Sequence, residues 1–575
     1  MKKIIYTLLS ASFLLLGSCE SFLDTENLTQ KDSSNYPVTP EDADMLLTGA
    51  YIQLTNTWPL QLLYYIGELM SDNCLGGGGP NDTDCKDINS FYSANLNKFR
   101  NAWQQNYRGI FRANSVLVNA GRIQWGATEA GLKEKNRILG ESHFLRAYYY
   151  FDLARLFENV PLRLKIETEN PPQATPDEIY AQIAFDLKTA IEILPDDRVS
   201  VPLSGRITKW AAEGYLAKVF LFYTGYYQKE SLPLPDGSAI TKEQVIRWLE
   251  DCIRNSGHDL VDDFRTLWPY AYQTDKEEFK RNTIYNYLTV NNIGPWVGDG
   301  NIESVFSVKY TALGVAWTGN GSKSNMVSLY YGFRIDKAAG DLNYYQATFP
   351  FGQGWGQGTV NSKLWEQWPD KDLRKKGSIL NVFDPDEDFW FDEDAPPAFH
   401  FGADGQMEET GYWNKKHLPV NAGNRLASVF SNFHRQIYPN LVQDIQEENI
   451  QDLVIMRFAD ILLMAAELGA PDAKNYLNRV HQRGVPGEEI EVTPENIMNE
   501  RRFEFAFEGS RYYDLLRWHK TNLITENQTD IEVYNNGVKD GKVSVVYREE
   551  TRGFLPVPDA EIQLSGGVLK PNPGW

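Results

Sequence analysis

Basic residues are in the minority in this sequence, and long apolar runs are missing from most of it. Lysine and arginine total 56 against 77 aspartates and glutamates, which gives a formal net charge of −21. Nucleic-acid and anionic-lipid binding need basic surfaces, so this balance argues against both, and an acidic ligand would need a local basic pocket. After the first eighteen residues no apolar run reaches the ~20 residues of a membrane-spanning helix. These absences indicate a globular body with a solvated acidic surface.

Cysteine is also scarce, with four in 575 residues. No Cys-x-x-Cys pair or histidine cluster is present, so the sequence gives no zinc-binding pattern. Cys74 and Cys85 flank a glycine-rich loop, and their spacing fits either a disulfide that closes this loop or two free thiols. Cys252 lies among apolar residues at helical spacing and is interpreted as a buried core thiol. The run Gly76–Gly79 lacks the lysine and hydroxyl residue of a phosphate-binding loop and is predicted to be a flexible tip.

The remaining cysteine ends an export signal. Two lysines precede the apolar stretch Ile4–Leu16, which is too short to span a membrane. Leu16–Cys19 resembles a bacterial lipobox, in which a peptidase cuts before a cysteine whose thiol takes a lipid. We therefore predict a signal peptide over residues 1–18, lipidation of Cys19 and a polar tether over residues 19–38, with acyl chains anchoring the protein on a bilayer. An ordinary cleaved signal with an incidental cysteine is the alternative interpretation.

Helical periodicity dominates residues 39–260, which we interpret as an N-terminal scaffold. Apolar residues recur at helical spacing, and turn signals such as Asn159–Pro161 separate the segments. Thr39 is expected to cap the first helix, with Asp42 in its first turn. Small residues at expected close contacts suggest stacked helical hairpins, as in tetratricopeptide repeats. These residues are Ala211, Ala212, Gly214 and Ala217. The predicted helices are Pro40–Leu54, Trp58–Met70, Asn101–Ile123, Glu129–Phe157, Pro176–Leu194, Ile207–Tyr223 and Thr241–Ser256.

Residues 261–442 have a different composition. Helical periodicity fades there, glycine, asparagine and aromatic residues dominate, and eight of the fifteen tryptophans lie between 268 and 413. A loop-rich insertion with short strands fits this composition, and Ser304–Tyr310 is one predicted strand. Trp365 and Trp368 stand beside an apolar helical pattern and are predicted to be core residues.

Residues 443–575 return to helical spacing and are expected to complete the scaffold. A hairpin signal follows the last helix, with Val533–Tyr534 and Lys542–Tyr547 flanking a turn at 535–537. The predicted helices are Val454–Leu468, Asp472–Arg483 and Thr493–Arg517.

Several long motifs give the chain a resemblance to a known family. They are Gly140–Phe157 with Val160–Leu162, Arg206–Leu221, Asp372–Ile379, Ile455–Glu467, Asn499–Trp518, Leu555–Ile562 and Asn572–Trp575. In this order they resemble the motifs of the SusD/RagB family, surface lipoproteins that Bacteroidetes pair with a TonB-dependent outer-membrane transporter. The resemblance spans nearly all of the mature chain. It implies an all-α, SusD-like fold, with tetratricopeptide-type helical hairpins and a loop-rich insertion, and a SusC-like transporter as partner.

Charged residues inside these motifs are interpreted as paired scaffold charges, because a lone buried ion is costly. One set lies on or beside a packed helix face: Arg146, Asp152 and Arg155. A second set is spaced three or four residues apart and is predicted to share one helix face: Arg501, Glu504, Glu508 and Arg511. The chain departs from the family pattern at Leu468–Asp472, a tighter turn than is usual, and at His481, where the family often has arginine.

Function is expected in the variable parts of the chain. The resemblance implies capture of nutrient oligomers, usually glycans and in some members peptides. Aromatic side chains cover the apolar faces of pyranose rings, and amides, acids and arginine bond the hydroxyls. The loop 72–92 and the insertion supply this mixture. The candidate ligand-binding residues are Asn73, Asn81, Asp82, Tyr92, Trp296, Trp317, Tyr330, Tyr331, Tyr345 and Trp355.

Three functions follow as hypotheses. The first is a non-enzymatic glycan-binding lipoprotein on the outer membrane, facing the cell exterior, and the second is the same architecture capturing peptides. The tryptophan-rich insertion favours glycan over peptide. The third is a glycoside hydrolase, but no sequence pattern selects two carboxylates at the spacing that hydrolysis needs.

No cofactor is expected, and calcium is the one metal that the sequence raises. Asp384, Asp386 and Asp388 alternate as the acids of a calcium loop do. However, Phe389 stands where such a loop needs glycine, and Ala395 stands where it needs a bidentate glutamate. A solvated acidic loop is therefore the favoured interpretation.

Overall fold

The computed structural model describes most of the chain, beginning at Tyr36. No helix in these parts is both long and apolar enough to cross a membrane. The predicted signal peptide and Cys19 lie outside them. The described residues are 36–55, 63–167, 169–273, 285–311, 324–334, 350–387, 405–420, 449–536 and 538–575.

Eight helices between Pro40 and Asn255 build the N-terminal scaffold as described. Thr39 caps the first of them as predicted: its hydroxyl accepts the Asp42 N–H at 3.2 Å, and the Asp42 carboxylate accepts the Thr39 N–H at 3.2 Å. The predicted helices are confirmed with ends shifted by a few residues, except that residues 58–62 of the second predicted helix lie outside the described residues. The short helix α3 was not predicted. The eight are α1 (Pro40–Tyr51), α2 (Leu63–Leu69), α3 (Thr83–Asn89), α4 (Arg100–Leu117), α5 (Glu129–Phe157), α6 (Pro176–Ile193), α7 (Lys209–Tyr226) and α8 (Lys242–Asn255).

The longest helix, α5, packs between α4 and α6. Thr128 caps its N-terminus by accepting the Gly131 N–H at 3.2 Å. Every residue from Phe144 to Phe157 is buried, so the charges on this stretch need partners. Arg146 donates to Asp186 at 2.6 and 2.8 Å, and Arg155 donates to Asp152 at 2.8 Å. The predicted pairing of these scaffold charges is confirmed.

Glycine lets two helix pairs approach closely. A Cβ atom on Gly109 of α4 would lie 2.3 Å from the Tyr149 ring of α5, and one on Gly214 of α7 would lie 2.3 Å from Ile461. Both neighbouring side chains are buried in the core, so neither has room to move aside for an added Cβ atom. Gly214 belongs to the small residues expected at close helix contacts, and this contact agrees with that prediction.

Short elements make up the described part of the insertion, as its composition predicted. Before it, β1 (Leu232–Pro233) and β2 (Ala239–Ile240) form a small antiparallel hairpin. Within it, β4 (Phe333–Arg334) pairs in parallel with β5 (Gln353–Gly354), and β6 (Ile379–Asn381) pairs antiparallel with β7 (Tyr412–Asn414). The elements are α9 (Asn286–Val290), β3 (Ser304–Val308), α10 (Val327–Tyr331), β4 (Phe333–Arg334), β5 (Gln353–Gly354), α11 (Ser362–Gln367), α12 (Leu373–Ser378), β6 (Ile379–Asn381) and β7 (Tyr412–Asn414).

The insertion has a hydrophobic cluster of its own. Phe264, Tyr270, Tyr287 and Trp413 are buried in it, apart from the larger scaffold core. Trp368 is buried in the scaffold core and stacks on Phe503 with ring centroids 4.9 Å apart, which confirms its prediction as a core residue. Trp365 is only half-buried and stacks on Tyr412 at 5.4 Å.

One strand of the C-terminal region was wrongly predicted as helix. Leu453–Arg457 forms β8, which pairs antiparallel with β3, and the helix begins only at Phe458. Val454 and Ile455 are β-branched and suit a strand, but their apolar run continues without a break into the helix. The predicted strand at Ser304–Tyr310 is confirmed as β3.

The helix predicted over Thr493–Arg517 is two helices. The chain turns sharply after Glu504, with positive φ angles of 68° at Phe507 and 77° at Gly509. A Cβ atom on Gly509 would lie 2.7 Å from the Tyr64 backbone, so glycine is required there. The C-terminal elements are α13 (Phe458–Glu467), α14 (Ala473–Gly484), α15 (Pro494–Glu504), α16 (Arg511–Arg517), α17 (Asn522–Asn527), β9 (Ile531–Asn535), β10 (Val538–Val543) and α18 (Asp559–Leu564).

The helix break changes the arrangement of the second charged set. Glu508 and Arg511 lie beyond the end of α15, so the prediction that they share a helix face with Arg501 and Glu504 is wrong. Their pairing is still complete. Arg501 donates to Asp460 at 2.7 Å, and Arg511 donates to Asp72 at 2.8 Å.

A buried ion network joins the insertion to the C-terminal helices. Glu504 accepts from Arg457 at 2.6 Å, from Arg483 at 2.5 Å and from Arg374 at 3.0 Å. Glu303, just before β3, accepts from Arg457 and Arg483, each at 2.5 Å. These side chains are almost completely inaccessible to solvent, so each charge depends on its partners. His481 contributes at the edge of this network by contacting Glu500 at 2.8 Å.

Candidate functional site

A buried carboxylate fixes the base of the loop 72–92. Asp72 accepts from Arg511 at 2.8 and 3.0 Å and from Asn527 at 2.7 Å, and it forms an ion pair with Arg502 at 3.0 Å. Burial alone would raise the pKa of Asp72, but Arg502 and Arg511 outweigh it and hold that pKa well below its usual range. The loop therefore leaves the scaffold from a rigid, fully ionised clamp.

The glycine run after this clamp is packed, and the prediction of a flexible tip is wrong. Gly76–Gly79 are buried, and their backbone bonds to the segment 356–358 and to Met407, with N···O distances of 2.6 to 2.9 Å. A Cβ atom on Gly79 would lie 2.7 Å from the Arg334 guanidinium. The glycines are needed for this close approach between two distant segments.

Cys74 and Cys85 are free thiols, so the disulfide interpretation is wrong and the alternative holds. Cys74 lies in a backbone bridge with Val360. Cys85 lies in α3, with its sulfur 3.6 Å from the Tyr65 hydroxyl. Both thiols are buried, and so is Cys252, as predicted for a core thiol. Burial raises the pKa of Cys85 to about 12, which keeps that thiol protonated and inert.

Asp82, Arg334 and Trp355 meet where the loop 72–92 touches the insertion, and we call these three residues with their exposed neighbour Asn81 the junction. Asp82 Oδ2 accepts from the Gly79 N–H and from Arg334, both at 2.7 Å. Arg334 also donates to the Trp355 carbonyl at 3.4 Å. Asp82, Arg334 and Trp355 are each partly exposed. The junction thus presents an indole, a guanidinium, a carboxylate and an amide at one edge of the protein.

Aromatic rings behind the junction support the Trp355 indole. Its ring lies 5.5 Å from the Tyr330 ring, which lies 4.8 Å from the ring of Tyr65. Tyr331 continues the contact to Tyr65 at 5.3 Å. Tyr330 and Tyr331 are fully buried on α10, so their prediction as ligand contacts is corrected. Tyr330 packs against the indole, and Tyr331 packs against Tyr65, which in turn contacts Tyr330.

Asn73 is also removed from the candidate ligand contacts. It is fully buried, its amide donates to Glu68 at 3.3 Å, and Arg502 donates to its side-chain oxygen at 3.4 Å. These bonds make it part of the scaffold.

The remaining candidates are dispersed. Tyr92 is 57% exposed but follows the far end of α3, where the neighbouring Phe91 packs against Tyr547, and it does not join the junction contacts. Trp317 and Tyr345 lie outside the described residues and stay predictions.

Arg334 was not predicted from the sequence, because its partner Asp82 is 252 residues away and no local pattern marks the pair.

Trp296 lines a separate small cavity. Its indole N–H donates to the Leu267 carbonyl at 3.3 Å, and the cavity of about 40 Å³ is bounded also by Asp299, Gln451 and Asp452. Asp299 accepts the backbone N–H of Asp452 at 2.9 Å, and Lys309 pairs with the Asp452 carboxylate. Burial, reinforced by the charge of Asp452, raises the pKa of Asp299 to about 7. A cavity of this size holds a few water molecules.

The raised pKa of Asp299 predicts a pH-dependent effect of its removal. The folded protein disfavours the ionised form of Asp299. Below pH ~4 the carboxyl group is protonated in both the folded and the unfolded state, so Asp299 does not lower the stability there. As pH rises towards ~7 the unfolded state ionises first, and the loss of stability caused by Asp299 grows. Asp299→Asn should therefore raise the thermal unfolding midpoint by a few degrees near pH ~8 and by much less near pH ~4. Asp262→Asn, at an exposed aspartate nearby, is the matched control. An equal change at both pH values would contradict the expectation.

The acidic segment 384–387 was predicted to be a solvated loop, and this prediction is wrong. Lys376 pairs with Asp384 at 2.7 Å and with Asp386 at 3.0 Å, and Lys415 pairs with Glu387 at 2.5 Å. Lysine ammonium groups therefore neutralise these acids. Among the described residues no group of three or more histidine, cysteine, aspartate or glutamate side chains could hold a metal ion. Asp388, Phe389 and Ala395 lie outside those residues.

Known proteins resemble this chain along most of its length. SusD-like protein P2 of Formosa agariphila is 25% identical over 571 residues, covering 93% of both chains. A SusD-like protein of Bacteroides ovatus is 24% identical, covering 73% of this chain and 65% of its own.

Solved structures share the fold. Surface glycan-binding protein A from Bacteroides thetaiotaomicron, in complex with laminarihexaose, matches with a TM-score of 0.68 at 22% identity, covering 93% of this chain and all of the other. A laminarin-binding SusD-like protein matches with a TM-score of 0.68 at 23% identity, covering 94% and 100%. The predicted helical, SusD-like fold is confirmed.

Family models match both ends of the chain. The model described as "Starch-binding associating with outer membrane" matches residues 30–221, and the model described as "SusD family" matches residues 320–575. Because these two models together cover most of the sequence, the chain belongs to the SusD/RagB family.

Proposed function

We propose that this protein is a lipid-anchored, surface-exposed glycan-binding protein of the outer membrane. It captures oligosaccharides and passes them, uncleaved, to a TonB-dependent transporter of the SusC type. The observation that carries the binding role is the junction, where a supported, half-exposed indole lies beside fixed polar groups. Two comparisons support it: one family model is described as starch-binding and associating with the outer membrane, and one structural neighbour holds laminarihexaose.

The chemistry of the junction suits a sugar. The Trp355 indole offers an apolar face for the C–H face of a pyranose ring, and the aromatic rings beneath it limit its movement. The exposed Asn81 amide and the Arg334 guanidinium can donate to sugar hydroxyls, while Asp82 can accept from them. Because the surface is open, we expect modest affinity and fast release, as transfer to a transporter requires.

Geometry favours binding over hydrolysis. Asp299 and Asp452 are the acid pair to consider, since burial raises the pKa of both carboxyl groups and that of Asp299 reaches about 7. The cavity beside them is only about 40 Å³, which admits water but no sugar ring. A hydrolase built on this pair would have no place for its substrate.

Calorimetric titration of the soluble chain without its lipidated cysteine, residues 20–575, tests the binding role. The panel contains laminarihexaose, maltohexaose and a peptide digest, and each mixture is afterwards analysed for released reducing sugar. We expect binding to at least one glycan and no sugar release. Reducing sugar released by the protein would contradict the non-enzymatic role, and binding to peptides alone would assign the peptide-capturing function.

Trp355→Ala should weaken binding of the glycan found in this panel by roughly 1 kcal/mol, about fivefold in affinity, because the aromatic platform is lost. Trp125→Ala is the matched control, since Trp125 is also half-buried but lies between α4 and α5. The affinity of the Trp125→Ala variant for this glycan should stay within twofold of the wild-type affinity. If both variants bind as the wild type does, the junction is not the glycan site. The same loss is predicted for Trp317→Ala.

Membrane fractionation tests the anchoring and partner roles. The full-length protein should remain in the outer-membrane fraction, be cleaved by protease added to intact cells, and co-purify with a TonB-dependent transporter after detergent extraction. Recovery in the periplasm without a lipid would contradict the anchor at Cys19.

A further inference from the structure

A groove on the outer side of the scaffold is separate from the junction. It lies between α4, the segment 161–171 and α18, and we call it the α4 groove. Its volume of about 530 Å³ is far larger than the cavity beside Trp296. Sites for small organic ligands have volumes on the order of 300–1,000 Å³. The α4 groove is therefore large enough for a short oligomer.

Four cations line the α4 groove in a chain whose formal net charge is −21. They are Arg108, Arg112, Arg163 and Lys165. Local positive charge of this kind is a departure from the acidic character of the whole sequence. It is the basic pocket that an acidic ligand would need.

Three of these cations are not neutralised by any acid in the described parts of the chain. Arg163 donates to the Glu169 carbonyl and to the Asn170 side-chain oxygen, each at 2.8 Å, and both acceptors are uncharged. Arg108 reaches only the Gln104 side-chain oxygen, at 3.4 Å. Within the described residues, Arg112 and these two arginines form no ion pair.

The acids of the groove have other partners. Glu561 accepts from Arg100 at 2.7 Å and from Gln104 at 2.9 Å. Glu167 lies 3.9 Å from Lys165, an exposed and weak pair. The guanidinium groups of Arg108, Arg112 and Arg163 therefore keep their charge available for a bound anion, and a guanidinium fork matches the geometry of carboxylate and sulfate.

Aromatic side chains complete the groove. Phe111 lines it and is 49% exposed, so its ring face is open to a ligand in the groove. Tyr107 beside it is fixed because its hydroxyl donates to the Pro161 carbonyl at 2.8 Å. Exposed ring faces next to guanidinium groups suit a sugar ring that carries an anionic substituent.

The helical walls of the groove distinguish a sugar from a peptide. Peptide capture by strand addition needs an unpaired strand edge, and the groove is bounded on two sides by α4 and α18, whose backbone groups bond within each helix. Recognition must then come from side chains. We propose that the α4 groove binds an acidic oligosaccharide, with Arg108 and Arg112 holding its carboxylate or sulfate groups and Phe111 covering a ring face. The proposed function supplies the ligand class, but the site is distinct from the junction.

Calorimetry with a tetragalacturonate probe tests this site on the mature chain. The fully methyl-esterified tetramer keeps the sugar rings and removes the charges, and a sulfated galactan tetrasaccharide, which carries no carboxylate, distinguishes sulfate from carboxylate. We expect at least one of the two anionic probes to bind at least tenfold more tightly than the esterified one. The double variant Arg108→Gln/Arg112→Gln should bind it about tenfold more weakly, and Phe111→Ala several-fold more weakly.

Arg247→Gln is the matched control, because it removes one positive charge from an exposed position on α8. It should change the affinity by less than twofold. The proposal is overturned if neither anionic probe binds, if the esterified probe binds equally well, or if the double variant and the control behave alike. Equal binding of a Glu-Gly repeat peptide with four carboxylates would overturn it in favour of an acidic peptide.

Anion binding at the α4 groove can be tested separately from glycan binding at the junction. The double arginine variant should bind the neutral glycan of the junction as the wild type does. Conversely, Trp355→Ala should leave tetragalacturonate binding unchanged.

Discussion

Glu504→Gln should lower the free energy of unfolding by about 3–5 kcal/mol, because it removes one carboxylate from three buried arginines. Arg374, Arg457 and Arg483 each donate to Glu504 within 3.0 Å. Arg457 and Arg483 both donate to Oε1 and Arg374 donates to Oε2, so a glutamine that keeps its oxygen at the first position turns its amide group towards Arg374. Burial alone would raise the pKa of Glu504, yet Arg483 and Arg457 outweigh it and lower that pKa, so the carboxylate stays ionised through the neutral range.

Urea titration followed by tryptophan fluorescence measures this loss, with Glu491→Gln as the matched control. Glu491 pairs with Lys474 at 2.7 Å, but both side chains are more than half exposed. The same change of charge there should cost less than ~1 kcal/mol. Equal destabilisation by the two variants would mean that the buried network contributes no more than a surface pair does.

Asp72→Asn should also destabilise the protein by about 3 kcal/mol near neutral pH, since it takes a carboxylate from Arg502 and Arg511. The folded protein holds the pKa of Asp72 below its unfolded value, so its contribution is complete above that value and is lost as pH falls. The difference between variant and wild type should therefore shrink as pH is lowered below ~4. Urea titrations at several pH values measure this difference.

The loop clamp gives Asp72→Asn a second consequence. Glycan affinity should fall as well, because the loop that carries Asn81 and Asp82 leaves the scaffold at Asp72. Asp84→Asn is the control on the same loop, since the Asp84 side chain is 53% exposed and its partner Lys98, at 2.9 Å, also pairs with Asp87. A constant stability difference at all pH values would contradict the role of the Asp72 charge.

Local signals predicted much of the helical scaffold. The bounds of α5 agree with the prediction at both ends, because Thr128 caps the helix and the apolar stripe is continuous up to Phe157. The strand β8 could not be predicted in the same way. Its partner β3 lies about 150 residues earlier in the chain, and an apolar run next to a helix fits either structure.

The candidate site was predictable only in outline. Sequence composition directed attention to the loop 72–92 and to the insertion, and the structure brings these two regions together at Asp82 and Trp355. Which aromatic residues face solvent was not predictable, because Tyr330 and Tyr331 lie on a short buried helix that no periodicity over five residues can reveal. Arg334 was missed because its role depends on a contact between distant segments.

Hydrogen–deuterium exchange, with and without the glycan identified by calorimetry, tests whether the glycan binds at the junction. We predict slower exchange in peptides covering residues 76–86 and 353–358 when the glycan is bound, and no change in α6 or α8. Protection confined to other segments, with exchange at the junction unchanged, would contradict the claim that this protein captures glycans where the loop 72–92 meets the insertion.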